Sequence, residues 1–100
     1  MDPAIPNIFI SDVVVSTAGR DQGELFYVID ADPLYLMLAN GKDRTLDKPK
    51  RKKRKHVHKV LRSETRVAAK LASGNKVLNS ELRRDLAFVA RELQANNLGG

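Results

Sequence analysis

One hundred residues, 42% of them apolar, bound a single small domain with a modest core, and the lack of any apolar run of eighteen or more residues excludes a membrane-spanning helix. The absence of cysteine removes disulfides, thiol catalysis and cysteine-ligated zinc together, and fits a reducing compartment. The net charge of +6 is unevenly spread: residues 1–47 hold eight acids and three bases, residues 48–62 nine bases and no acid, and residues 63–100 six bases and four acids. So concentrated a cationic segment is expected to meet a polyanion.

In chain order, Met1–Pro6 lack a basic start followed by an apolar stretch, so no secretory signal is expected. Residues 8–16 are β-branched and aromatic and read as a first strand. Gly19-Arg20-Asp21-Gln22-Gly23 reads as a turn, with glycines where the backbone needs positive φ or close approach. Leu25–Ile29 is the second strand, broken by Asp30-Ala31-Asp32-Pro33, and Leu34–Leu38 the third. Asn40-Gly41 is a tight-turn signal, because both residues tolerate the left-handed region. Arg44–Leu46 reads as a short fourth strand, Lys48–Lys55 as a basic loop marked by Pro49, and His56–Leu61 as a fifth strand.

At Ser63 the pattern turns helical. Ser63 is the expected cap of a first helix that carries Val67, Ala68, Leu71 and Ala72 at helical spacing and stops at Gly74. Asn79 or Ser80 is the expected cap of a second, with Leu82, Leu86, Val89, Ala90 and Leu93 along one face and Asn96, Asn97, Gly99 and Gly100 at its end. The expected architecture is mainly β with a helical tail: a five-stranded unit over residues 1–62, then two helices over 63–100. A small barrel suits five short strands better than an open sheet, since closure removes exposed edges.

Val13-Val14-Val15, the Gly19–Gly23 turn and Val28-Ile29-Asp30 together resemble the KOW motif: strand, glycine-containing turn, strand. A leucine-rich strand, Asn40-Gly41, Arg44 and the basic run ending at Lys55-His56 extend the likeness over roughly residues 12–88. In that extent the chain is similar to a bacterial family of small KOW-containing proteins related to a large-subunit ribosomal protein of archaea and eukaryotes. The resemblance implies a barrel of the Src-homology-3 (SH3) type, RNA binding and association with ribosomes or translation in the cytoplasm. It implies no catalysis and no cofactor. Gly23 takes the place of the family's central glycine and Arg20 that of a basic turn residue. Glu24 stands where a base often follows, so no phosphate contact is expected there.

The expected RNA-contacting residues are Arg20, Arg44, Lys48, Lys50, Arg51, Lys52, Lys53, Arg54, Lys55, His56, His58 and Lys59, with Gly19, Gly23 and Gly41 shaping the turns. Cations that neutralise phosphates release counterions and give affinity with little base specificity. A solvated loop or a nuclear import signal is the other reading of the run. As a solvated loop, it would tolerate glutamine at Lys50, Arg51, Lys52 and Lys53 without loss of fold. Arg20 and Arg44 could equally steady their own turns. His56 and His58, two apart in a strand, would share a face, but two histidines without a nearby carboxylate make a poor zinc site. Among Phe9, Phe26, Tyr27 and Tyr35, most are needed in the core, and Tyr35 is the best candidate to stack on a base. No phosphate-binding glycine loop and no Ser–His–Asp spacing suggest an enzyme, and no small-molecule substrate is expected. The expected partners are RNA, ribosomal RNA first, with ribosomal proteins second. Two readings compete: a protein-interaction module that docks a ribosomal or transcription partner through the helix over 80–93, and a DNA- or polyanion-binding protein with no specific target.

Overall fold

The computed structural model describes residues 7–99, with side chains through Ala95; the readings for Met1–Pro6 and Gly100 lie outside the described residues. Five strands, β1 (Asp12–Ser16), β2 (Leu25–Ala31), β3 (Tyr35–Ala39), β4 (Lys50–Lys53) and β5 (Val57–Arg62), are followed by α1 (Arg66–Ser73) and α2 (Asn79–Gly99). All neighbours are antiparallel, in the order β4-β3-β2-β1-β5. The sheet is open, because β4 and β5 share no ladder. It is also strongly curled. In a flat sheet the outer strands of five would lie roughly 19 Å apart. Here a single 3₁₀ turn of three residues, Arg54–His56, joins them, and such a turn rises only about 6 Å.

The strand readings hold at β2, β3 and β5 and shift elsewhere. The first strand is shorter than residues 8–16. Ser11 has φ of 78°, Asp12 Oδ2 accepts from Phe9 N at 2.8 Å, and Asp12 N donates to Phe9 O at 3.0 Å, so a tight turn precedes β1. The fourth strand is not Arg44–Leu46. Those residues lie in the connection from β3 to β4, where one isolated bridge joins Thr45 and Lys48, and β4 lies in the basic run itself. Asn40 explains the displacement. Its Oδ1 accepts from Lys42 N at 2.9 Å and Arg44 N at 3.1 Å, and its Nδ2 donates to Asp43 Oδ1 at 2.8 Å. A wide side-chain-braced loop replaces the two-residue hairpin and delays strand pairing to Lys50.

Two apolar clusters form on the two faces of the sheet. Ile8, Val14, Phe26, Val28, Leu36, Leu38 and Val57 fill the inner face. Val13, Tyr27 and Ala39 face the other way and are covered by Val67 and Ala68 of α1 and Leu82, Leu86 and Val89 of α2. The expected stripe of α2 is therefore buried as far as Val89, whereas Ala90 and Leu93 are exposed. Each fully buried aliphatic side chain contributes about 1.5–3 kcal/mol, so the helices are integral to the fold. The caps differ in detail from the sequence reading. Thr65, not Ser63, caps α1, accepting from Ala68 N at 3.1 Å, and Gly74 ends it in the left-handed region as expected. At α2, Glu81 caps Leu78 N at 3.0 Å, while Asn79 Oδ1 accepts from Leu46 N at 2.8 Å and clamps the β3–β4 loop.

One polar knot ties the sheet to both helices. The Tyr27 hydroxyl donates to Asp85 Oδ2 at 2.7 Å and lies 2.9 Å from Ser63 Oγ, and Thr65 Oγ1 donates to the same carboxylate oxygen at 2.6 Å. Burial raises the Tyr27 pKa; Ser63 and Thr65 oppose the rise and Asp85 adds to it. Tyr27→Phe is expected to lower stability by about 1–2 kcal/mol, since the ring stays packed and only the hydroxyl's bonds are lost. Urea unfolding checks this, and a midpoint equal to wild type would show that the knot holds nothing.

Candidate nucleic-acid interface

The basic run is an edge strand and a 3₁₀ turn, not a loop, and strand alternation sorts its cations. β4 pairs with β3 so that Lys50 faces Leu38 and Lys52 faces Leu36, both on the inner face. Lys52 is only 7% exposed. Its ammonium donates to Asp21 Oδ1 at 2.5 Å and to Ala18 O at 2.6 Å. Lys50 forms an ion pair with the other carboxylate oxygen at 2.7 Å, and Ser16 Oγ donates to Asp21 Oδ1 at 2.7 Å. Burial works against the Asp21 charge, but the two ammoniums and the Ser16 hydroxyl outweigh it and hold the carboxyl well below its usual range. Glutamine at all four of Lys50–Lys53 would therefore strip a buried acid of its partners. The expectation that the fold would tolerate this is overturned by the position of Lys52.

Arg51 and Lys53 point the other way. The Arg51 guanidinium carbon lies 3.8 Å from the centroid of the Tyr35 ring, a stacked cation–π pair between neighbouring strands. Lys53 and Lys55 are exposed and make no side-chain hydrogen bond or ion pair among the described residues. Arg54 is held by the fold: Nε donates to Asp32 O at 2.8 Å and Nη1 to Ile8 O at 3.2 Å. Lys59 is also engaged, forming an ion pair with Asp12 at 3.1 Å and donating to Asn7 O at 3.1 Å. Of the nine bases in residues 48–62, Lys50, Lys52, Arg54 and Lys59 thus serve the structure. Lys48, Arg51, Lys53, Lys55 and Arg62 keep their charge in solvent.

The remaining expected contacts scatter around this strand. Arg20 is exposed in the 17–24 loop, which β4 holds through Asp21 and Ala18. Thr17 N donates to His56 O at 2.9 Å, so the same loop abuts the 3₁₀ turn. His56 ends that turn and His58 lies exposed in β5 opposite Val15, so the two do not share a strand face as expected. Arg44 is exposed in the β3–β4 loop, where its carbonyl accepts from Asn40 N and Gly41 N. Among the aromatics, Phe26 and Tyr27 are core, Phe9 is exposed, and Tyr35 lies beneath Arg51.

The chain matches no protein-family model and no curated protein.

Arg20, Arg51, Lys53 and Lys55 offer charge from adjoining elements, while Asp21 neutralises two lysines beneath them. The sequence reading missed Asp21. No local signal marks it, because its partners stand some thirty residues further on, beyond β2 and β3, in a run that is basic at every position.

Proposed function

We propose that this protein is a non-enzymatic RNA-binding protein built as an SH3-like barrel of the KOW type. The strand order and the short turn joining the two sheet edges support the barrel reading, because they bring the edges toward closure. One observation carries the function: β4 holds Lys50 and Lys52 inward on Asp21 yet turns Arg51 and Lys53 to solvent, with Lys55 beside them. Cations kept out of internal pairs on a rigid strand suit a phosphate backbone. Ribosomal RNA is the target the resemblance implies, which would place the protein in the cytoplasm on ribosomes, with no cofactor and no small-molecule substrate. A protein-docking role for α2 has less surface to use, since Leu82, Leu86 and Val89 are buried against the sheet.

If the five solvent cations of residues 48–62 each meet a phosphate, log affinity should fall with log salt at a slope of roughly −3.5 to −4.5. Binding would weaken on the order of a hundredfold between about 50 and 200 mM salt. Glutamine at Arg51, Lys53 and Lys55 together should flatten the slope by about 2–3 and leave the fold intact, lowering the melting temperature only by the roughly 2–8 °C that loss of the Arg51–Tyr35 stack costs. Titration of a ribosomal RNA fragment tests this, and sedimentation of a cell lysate tests the ribosomal association. Wild-type affinity and slope in the triple variant would remove β4 from the interface.

A further inference from the structure

We infer that the Arg51–Tyr35 stack is a platform for one unpaired nucleobase, so that the RNA recognised carries a bulged or looped-out nucleotide beside paired backbone; this rests on the RNA-binding reading above. The end of the sheet's second face that the helices leave uncovered presents Tyr35, Met37, Arg51 and Lys53. The Tyr35 ring is half-buried and one of its faces is taken by the guanidinium at 3.8 Å. Arg51 is exposed, and the ring occupies only one side of its guanidinium plane. Planar guanidinium groups and aromatic rings are the surfaces on which proteins stack unpaired bases, and a ring beneath holds the guanidinium plane in place.

Charge on the same face separates base from phosphate. Asp30 is exposed opposite Met37, whose other neighbour is Arg51. Asp32 Oδ1 accepts from Leu34 N at 2.8 Å and Tyr35 N at 2.7 Å, which fixes a second carboxylate near Arg51. Two acids at the rim disfavour a phosphate lying on the plane of the guanidinium, whereas a neutral base meets no such penalty there and leaves the guanidinium's N–H edge to a flanking phosphate. Lys53 and Lys55, which make no ion pair among the described residues, are the cations suited to the flanking phosphates.

The test uses the full chain and three RNA hairpins of equal length: fully paired, with one bulged nucleotide, and with an abasic residue at the bulge. Wild type should bind the bulged hairpin about tenfold more tightly than the paired one, within the range of a single base stack. The abasic hairpin should bind like the paired one. Arg51→Lys keeps the charge and removes the plane, so it should lose the tenfold preference while affinity for paired RNA and the salt slope stay as in wild type. An abasic bulge bound as tightly as the natural one, or a preference that survives in Arg51→Lys, would overturn the platform and leave RNA binding standing. Salt-insensitive or undetectable binding to all three hairpins would overturn the RNA-binding reading itself, and the platform with it.

Discussion

Asp21→Ala should lower stability at pH 7 by about 3 kcal/mol, at the lower end for breaking a buried ion pair by removing one partner. For a domain of this size that is roughly 12–24 °C in melting temperature. The mechanism is desolvation without compensation. Lys52 is only 7% exposed, and without the carboxylate its ammonium keeps only the Ala18 carbonyl. Lys50, partly exposed, can turn to solvent and limits the loss. The double variant Asp21→Ala, Lys52→Met should recover much of the stability, because apolar replacement of a buried pair is often neutral. Acid should act in the same direction. The Asp21 pKa is depressed in the folded state, so below the ordinary carboxylate value of about 3.9 the unfolded chain binds the proton first. The contribution is whole above roughly pH 5 and fades as pH falls through and below that value. The gap between wild type and Asp21→Ala should therefore be widest near neutrality and narrow in melts at pH 3. A gap that stays constant with pH, or a neutral-pH melting temperature within a few degrees of wild type, would show that Asp21 does not anchor β4.

This carboxylate also marks where reading the sequence stopped short. β-Branched residues in β1 and β2, and the leucines of β3, announce strands because their burial follows from their own chemistry. Lys50–Lys53 do not, since nothing local reveals that alternate lysines meet an acid some thirty residues earlier in the chain. Charge density reads as solvent, and in this strand half of it is solvent. The α2 stripe was legible from spacing, but its occupant was not: Leu82, Leu86 and Val89 cover Val13, Tyr27 and Ala39 on the outward face of the sheet. Asn79 misled for a related reason. It is a strong cap by type, yet its amide oxygen serves Leu46 across the fold. The exposed cations of the candidate interface were visible as composition; their division between structure and surface was not.

Gly41 and Gly23 were read alike from sequence, and the structure separates them by their surroundings. Both have positive φ, 76° and 91°, a conformation that costs an ordinary residue about 1–2 kcal/mol. At Gly23 an added Cβ meets nothing within 4 Å, so Gly23→Ala should cost only that conformational term. At Gly41 the same atom would overlap the carbonyl of Asn79 and sit 3.1 Å from Leu82 Cβ. The obstacle is backbone at the start of α2, which cannot rotate aside. To admit a methyl group the helix must back away from the loop, loosening the Arg83 bond to Gly41 O at 2.5 Å and the Leu46–Asn79 bond. Leu82 would be drawn with it, although it is wholly buried against the sheet. Overpacking of this kind adds about 1–3 kcal/mol to the backbone term, for a total of roughly 2–5 kcal/mol. Gly41→Ala should therefore melt well below Gly23→Ala, by roughly 4–24 °C. Hydrogen exchange should show lost protection concentrated in residues 40–48 and the first turns of α2. Equal melting temperatures for the two variants would mean that the loop yields without disturbing the helix, and that the contact between Gly41 and Asn79 does not fix the position of α2 on the sheet.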